Sequence, residues 1–260
     1  MPRFAANVTM LFTELPFLDR FEAAARAGFE GVECQFPYEH PAAEIADRLR
    51  RHGQRLVLHN LPVGNGQGGE RGIACIPGRE DEFRRGLDAA IGYATALGCP
   101  QLNCLAGLTP AGVEPERVHA TLAANLRHAD ERLAAEGIRL LVESVNARDV
   151  PGFHLTRTAE VRALIEEGGL RNTFIQYDVY HAQVTEGDIA RTLEANLDLI
   201  RHVQIADNPG RHEPGTGEIG FPFLFGHLDR IGYDGWIGCE YRPSGPTVDS
   251  FAWLPAALGS

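Results

Sequence analysis

The 260-residue sequence contains no lysine, so all 24 of its basic residues are arginine. Without a lysine the chain cannot form a Schiff base, attach pyridoxal phosphate or complete a Walker phosphate-binding loop. The 35 acidic residues outnumber the arginines, the formal net charge is -11, and the arginines form no basic block. We therefore expect neither a nucleic acid nor an anionic membrane surface as a partner.

Paired cysteines and long apolar runs are missing as well. The five cysteines include no C-x-x-C pair and are odd in number, which predicts reduced, buried thiols and a cytoplasmic protein. No apolar run approaches ~18 residues, so we expect no membrane span. The N-terminus also lacks the residue order of a signal peptide. The sequence is compatible with a monomer or a homo-oligomer.

The sequence does contain a regular alternation of short apolar runs and longer amphipathic runs. This alternation predicts eight strands and seven helices in strict β-α order. The predicted strands are residues 4–11, 31–36, 55–61, 101–105, 138–145, 173–178, 202–205 and 235–240. The predicted helices are residues 16–27, 42–52, 80–97, 115–135, 158–167, 188–199 and 221–231.

Eight strand-helix units in a chain of this length indicate an α/β protein whose parallel strands close into a (β/α)8 TIM barrel. A doubly wound open sheet is the alternative. No linker or repeat divides the chain, so we expect one domain over residues 1–260. Prolines leave only residues 247–254 for an eighth helix. Glycines in C-cap positions mark the ends of the predicted helices; they are Gly28, Gly53, Gly98, Gly137, Gly168 and Gly232.

The glycine run "LPVGNGQGGERG" at residues 61–72 has the spacing of a dinucleotide-binding loop at Gly64, Gly66 and Gly69. Such a loop needs a helix that begins inside it. The residues after Gly69 include two more glycines and Pro77, which forbid a regular helix. We therefore predict a long mobile loop at the active-site face of the barrel, able to act as a lid. A plain flexible connection is the alternative.

Each of the last four predicted strands has a polar residue at or near its end. These residues are Glu143, Asp178, Gln204 and Glu240. The gaps between them are 35, 26 and 36 residues, each about one strand-helix unit. We therefore expect the four side chains to converge at the C-terminal rim of the barrel. A single acidic residue at a strand end often caps the next helix, but four at matched positions favour a site.

Three carboxylates packed together repel one another and require a cation. Because the chain has no lysine, a divalent metal ion is the simplest source of that charge. Carboxylates and a glutamine amide oxygen are hard donors, which favour Mg²⁺ or Mn²⁺. Zinc is disfavoured because none of the four rim positions holds a histidine.

The sequence resembles the hydroxypyruvate isomerase family, within the superfamily of xylose-isomerase-like barrels. The resemblance is carried by residues 16–33, 60–74, 142–153, 177–188, 202–219 and 240–243, including "HVQIADNPGRHEPGTGEI". It implies that Glu143, Asp178, Gln204 and Glu240 are metal ligands. It also implies that Glu143 and Glu240 transfer protons. Related ketose 3-epimerases usually place a histidine at the position of Gln204.

The resemblance implies an isomerase that acts on a small hydroxy-oxo acid or sugar. The expected reaction interconverts hydroxypyruvate and 2-hydroxy-3-oxopropanoate (tartronate semialdehyde) through an enediolate that the metal stabilises. A 2-oxo-tetronate isomerase or a ketose 3-epimerase on the same metal site is the alternative. A metal-dependent DNA repair endonuclease and a non-catalytic sugar-binding protein are rivals from other classes.

A carboxylate on the substrate needs a cation of its own, for which three arginines are candidates. Arg71 lies in the glycine-rich loop, Arg148 follows the fifth strand and Arg211 follows the seventh. The resemblance favours Arg211, and the alternative for each is a structural role at the surface. We also expect His181, three residues after Asp178, to donate a hydrogen bond to a substrate oxygen.

Overall fold

Eight parallel strands follow one another around the sheet in chain order, and pairing between the first and last strands closes it. The computed structural model describes residues 3–254. This closure confirms the predicted (β/α)8 barrel, and the open sheet is wrong. Residues 1–2 and 255–260 of the predicted single domain lie outside the described residues. The strands are β1 Arg3–Asn7, β2 Gly31–Cys34, β3 Arg55–Asn60, β4 Gln101–Cys104, β5 Arg139–Glu143, β6 Thr173–Asp178, β7 Ile200–Ile205 and β8 Trp236–Cys239.

Helices surround the barrel and pack their apolar faces against the strands. They are α1 Arg20–Arg26, α2 Ala42–His52, α3 Glu80–Leu97, α4 Pro115–Ala135, α5 Thr158–Gly168, α6 Val179–Thr185, α7 Ile189–Ala195 and α8 Phe221–Arg230. In α4, Leu122, Leu126, Ala129 and Leu133 recur at helical spacing and are fully buried, as the amphipathic pattern predicts. None of the helices in residues 3–254 combines the length and apolarity needed to cross a bilayer.

Several predicted bounds are too long, because apolar residues continue past the regular structure. The strand predicted for residues 4–11 ends at Asn7, where the backbone N–H groups of Met10 and Leu11 donate to the Asn7 carbonyl and turn the chain. The helix predicted for residues 188–199 is also shorter and ends at Ala195.

The structure also differs from the predicted helices at four other places. A short 3₁₀ helix, Phe17–Asp19, precedes α1, and another, Thr247–Phe251, takes the place of the eighth helix. Helix α6 was not predicted. The residue that ends α5 with a left-handed backbone is Gly169, with φ 60°, and not Gly168.

The glycine-rich run lies in the connection between β3 and α3. Its regular structure is the short 3₁₀ helix Gly66–Gly68, and α3 begins only at Glu80, so no α-helix begins inside the run and the geometry of a dinucleotide-binding loop is missing. Gly72 has φ 114°, and a Cβ there would overlap the backbone of Leu105, so this position requires glycine. The lid function stays a prediction.

The barrel interior changes from apolar to polar along the strand direction. Towards the end of the barrel where the strands begin is an apolar cluster. It consists of Ala5, Val57, Leu58 and Leu141, with Phe174 and Trp236 packed against it. Alternate residues of a strand face the same side of the sheet, and on β6 this side carries Phe174, Gln176 and then Asp178. Polar side chains are thereby gathered at the carboxyl ends of the strands.

Candidate active site

A cavity of about 1260 Å³ opens at the carboxyl ends of the strands. Glu143, His181, Arg211 and Glu240 line it, and Arg71 reaches it from the glycine-rich loop. Barrels of this fold carry their active sites at this end. Two further predicted residues are buried at the same end of the barrel: Asp178 at the end of β6 and Gln204 within β7.

The strand register explains how distant residues converge. Asp178 pairs with Gln204, but Glu143 pairs with Gln176, two positions before Asp178. Gln204 in turn pairs with Gly238, two positions before Glu240. The tilt of the strands in a closed barrel compensates for such offsets, because the register advances around the barrel. Residues that are offset by two pairing positions can therefore lie at similar heights in the barrel.

Glu143 is a buried carboxylate with little compensation. The Asn103 amide donates a hydrogen bond of 3.1 Å to its Oε2, and within residues 3–254 no arginine forms an ion pair with it. Burial raises the pKa of Glu143 well above its usual range, and the neighbouring charges of Glu240 and Asp178 raise it further. This carboxylate therefore requires a cation before it can ionise readily.

Arg211 supplies part of the positive charge in the site. Its Nη2 donates to Glu240 Oε2 at 2.8 Å and to Asp178 Oδ2 at 3.4 Å, and its guanidinium lies 5.1 Å from the Tyr180 ring centroid. Burial alone would lower the pKa of Arg211, but Glu240, Asp178 and Glu143 outweigh it and raise the pKa. The absence of lysine had favoured a metal ion as the source of positive charge, but in the structure an arginine supplies part of that charge.

Arg211 also has a left-handed backbone with φ 55°, a conformation that is costly for a residue with a Cβ and is often found at functional sites.

Both carboxylate oxygens of Glu240 accept hydrogen bonds. Oε1 accepts from Gln35 at 2.8 Å and from Asn7 at 3.1 Å, and Oε2 accepts from Arg211. Burial nevertheless raises the pKa of Glu240 to about 7; Arg211 lowers this pKa, and Asp178 raises it. A carboxyl group with a pKa near neutrality is suited to both accepting and releasing a proton.

Asp178 has two functions at once. Its Oδ1 accepts the backbone N–H groups of Tyr180 at 2.8 Å and His181 at 3.4 Å, and so caps α6. Its Oδ2 faces Arg211 and lies 3.6 Å from His181 Nε2. The helix-cap explanation of a strand-end acid is therefore correct for one oxygen, while the other oxygen belongs to the site.

His181 lies close enough to Glu143 and Asp178 for the three to hold a metal ion, with ligand atoms within 4.8 Å of one another. However, the Asn146 backbone N–H donates to His181 Nδ1 at 3.3 Å, and the Asn146 side-chain amide lies 2.6 Å from it. Burial lowers the pKa of His181 to about 4, so the ring is neutral and carries its proton on Nε2. This tautomer donates a hydrogen bond, as expected for substrate contact.

The other two candidate arginines differ in position. Arg71 lines the cavity and is exposed. Arg148 is not among the residues that line it, and its Nη2 donates to Tyr180 Oη at 3.3 Å and Asn208 Oδ1 at 3.2 Å. Arg242, which was not predicted, also lines the cavity two residues after Glu240. Its signal was its place in residues 240–243, one of the stretches that carry the family resemblance.

The chain belongs to the family described as "Xylose isomerase-like TIM barrel", whose model matches residues 21–257. Hydroxypyruvate isomerase from Escherichia coli (strain K12) is 52% identical over 254 residues, which cover 98% of each chain. The 2-oxo-tetronate isomerase of Cupriavidus necator is 46% identical over 259 residues, with 100% of both chains covered. Both relatives are isomerases, which confirms the prediction of an isomerase-like enzyme.

A solved structure is similarly close. The crystal structure of a protein described as AP endonuclease, family 2, from Brucella melitensis has a TM-score of 0.96 and 45% sequence identity. The match covers 98% of this chain and 99% of that chain.

Proposed function

We propose that this protein is a divalent-metal-dependent isomerase that interconverts hydroxypyruvate and tartronate semialdehyde. The observation that carries the proposal is the group of three buried carboxylates at the carboxyl end of the barrel, Glu143, Asp178 and Glu240, of which Glu143 and Glu240 line the cavity. The 52% identical hydroxypyruvate isomerase supports the choice of substrate.

The donor set fits a divalent cation. Glu143, Asp178, Glu240 and the amide oxygen of Gln204 would hold it, and hard oxygen donors favour Mg²⁺ or Mn²⁺. The raised pKa of Glu143 supports this assignment, because burial and the neighbouring carboxylates Glu240 and Asp178 raise it despite the charge of Arg211. When bound, such a cation stabilises the negative charge that develops on substrate oxygens.

Glu143 and Glu240 would perform the proton transfers. Glu143 ends β5 and Glu240 follows β8, and both line the cavity. One glutamate removes a proton from C3 of hydroxypyruvate, and the other delivers a proton to C2, while the hydroxyl proton moves from O3 to O2. An enediolate lies between the two proton transfers. His181 would donate its Nε2–H to a substrate oxygen.

Arg211 and Arg71 would recognise the carboxylate of the substrate, because both line the cavity and a guanidinium can bind a carboxylate through two hydrogen bonds. Arg148 would support the site through Tyr180. A neutral sugar would leave these arginines without a counterpart, which disfavours a ketose 3-epimerase.

A 2-oxo-tetronate isomerase is the second candidate. One observation favours it: a cavity of about 1260 Å³ has far more space than a three-carbon acid fills. The 46% identical relative named for this activity agrees with it. Both candidates use the same carboxylates and the same chemistry, and they differ only in the length of the acid.

DNA cleavage is disfavoured despite the description of the Brucella melitensis relative. The net charge of -11 and the absence of lysine provide no attraction for a phosphate backbone.

We also retain the cytoplasm as the proposed location, because the five cysteines are free and buried, which suits a reducing compartment.

The test is turnover of hydroxypyruvate, a 2-oxo-tetronate and a ketose before and after chelation. We expect chelation to abolish isomerisation and Mg²⁺ or Mn²⁺ to restore it. Glu143→Gln should abolish turnover with an unchanged circular dichroism spectrum, whereas Glu167→Gln on the exposed side of α5 should retain it. Isomerisation by chelated enzyme at the untreated rate would show that the proposed mechanism is wrong.

A further inference from the structure

A layer of buried polar side chains lies next to the proposed metal ligands, and the proposed reaction gives it no role. At its centre is Glu33 of β2, whose exposed fraction is 1%. Glu33 Oε1 accepts from Gln204 Nε2 at 2.8 Å and from Asn7 Nδ2 at 2.9 Å. Glu33 Oε2 lies 2.6 Å from Nε2 of the fully buried His202. Oε1 therefore accepts two amide N–H groups, and Oε2 lies against a buried imidazole nitrogen.

The contact with Gln204 determines which end of its amide is available to a cation. The Nε2 end is committed to Glu33, so the Oε1 end is the one left for coordination. Gln204 Oε1 already accepts from Gln176 Nε2 at 2.6 Å, but a carbonyl oxygen has a second lone pair. Rotation of this amide by half a turn would present N–H groups to the cation and abolish coordination.

Asn7 extends the same support to a second proposed ligand. Its amide nitrogen donates to Glu33 Oε1 at 2.9 Å and to Glu240 Oε1 at 3.1 Å. An amide NH₂ group has two hydrogens, so each carboxylate receives one. Glu33 thus contacts Gln204 directly and reaches Glu240 through one residue.

We propose that Glu33 is a positioning residue of the metal site, which turns the Gln204 carbonyl oxygen towards the cation and, through Asn7, fixes the Glu240 carboxylate. The inference rests on the proposed function, because it requires Gln204 and Glu240 to be ligands. Residues that orient metal ligands commonly change metal affinity by ~10- to 100-fold when they are replaced.

The neighbouring strand preserves the space that this carboxylate needs. Gly238 of β8 faces Glu33, and a Cβ at residue 238 would overlap the Glu33 carboxylate. The colliding atoms are the far end of a flexible side chain, so Gly238→Ala should displace the carboxylate and leave the strand intact. This substitution moves Glu33 without removing its charge.

The experiment measures the Kd for Mn²⁺ by isothermal titration calorimetry on the metal-free full-length protein, without substrate. We expect Glu33→Ala and Gly238→Ala to raise the Kd by ~10- to 100-fold. Glu33→Gln should restore affinity close to that of the wild type, because its Oε1 can still accept from Asn7 and Gln204. Gly92→Ala, on the exposed side of α3 with open space around it, is the matched control and should leave the Kd unchanged.

Gln204→Ala separates this inference from the proposed function. If Gln204→Ala weakens Mn²⁺ binding but Glu33→Ala and Gly238→Ala do not, the positioning role is wrong and the proposed ligand set stands. If Gln204→Ala also leaves the Kd unchanged, the ligand set itself is wrong. Equal losses in Glu33→Gln and Glu33→Ala would also overturn the inference, since charge and not amide orientation would then control affinity. If Glu33→Ala does not fold, the Kd of Gly238→Ala for Mn²⁺ decides whether Glu33 positions the ligands.

Discussion

The metal-free protein should lose stability as pH rises from about 4.5 to about 7, because the Glu240 carboxyl ionises in the unfolded chain while the folded chain holds it protonated. Burial raises the pKa of Glu240 from 4.5 to about 7 in the folded chain. A carboxyl group whose folded pKa is raised contributes its full stability below its unfolded pKa and loses it as pH rises through the folded pKa. The difference corresponds to ~3 kcal/mol of unfolding free energy. Glu143 acts in the same direction.

The assay is urea unfolding of chelated protein between about pH 5 and about pH 8, compared with Glu240→Gln. The wild type should lose ~3 kcal/mol more than the variant over this range, and Mn²⁺ should restore the loss at the upper end, because it binds the ionised carboxylates of the folded state. Glu167→Gln, which is exposed on α5, should follow the wild type. Parallel curves for the wild type and Glu240→Gln would refute the reasoning.

Two further substitutions test the charge of Arg211 and the hydrogen-bond donor His181. Arg211→Leu leaves the buried Asp178 and Glu240 without their guanidinium, so it should destabilise the chelated protein by about 3 kcal/mol in urea unfolding. The loss should shrink when Mn²⁺ is added, and an equal loss with and without the ion would contradict this account. Asn146→Ala removes the side-chain amide that contacts His181 Nδ1 and keeps the backbone N–H; with one of the two donors lost, kcat should fall by about tenfold or more with no change in the Kd for Mn²⁺. Unchanged kcat, or a weaker Mn²⁺ affinity, would contradict the assigned tautomer.

Most of the fold could be predicted because its elements are long and periodic. The bounds of α2, α3 and α4 agree with the prediction at both ends, since each amphipathic run is bounded by proline or glycine or by charged first-turn residues. Helix α6 has only seven residues and begins directly after β6. Two turns are too few to establish a helical period, and its cap, Asp178, comes from the preceding strand.

The candidate site could be predicted in part, for a related reason. The four strand-end polar residues were evident because each follows an apolar run. The layer around Glu33 was missed, although pairs of polar residues two positions apart, Glu33 with Gln35 and His202 with Gln204, signal one continuous polar side of a strand. Polar residues inside a strand contradict the usual pattern of a buried sheet, and therefore mark support for a site.

The position of the Arg211 side chain between Asp178 and Glu240 could not be predicted from the adjacent residues. It depends on the conformation of the loop after β7, which hydrogen bonds to Asp207 hold in place. The buried Asp207 accepts the backbone N–H groups of Gly215 and Gly217, each at 2.9 Å, and of Ile219 at 3.1 Å. These bonds fold the chain after β7 back on itself. Nothing in the order of residues 207–219 indicates where the guanidinium between them will point.

The charges of the site are consistent with the proposed divalent ion and with a neutral residue as its proposed fourth ligand. When ionised, Glu143, Asp178 and Glu240 would face one guanidinium and leave two negative charges in a buried volume, apart from Glu33, which lies against His202. A divalent cation neutralises this remainder, whereas a monovalent ion would leave one buried charge unpaired, at a cost of several kcal/mol. A fourth carboxylate at position 204 would restore the imbalance even with the cation bound. The amide of Gln204 adds an oxygen donor without adding charge.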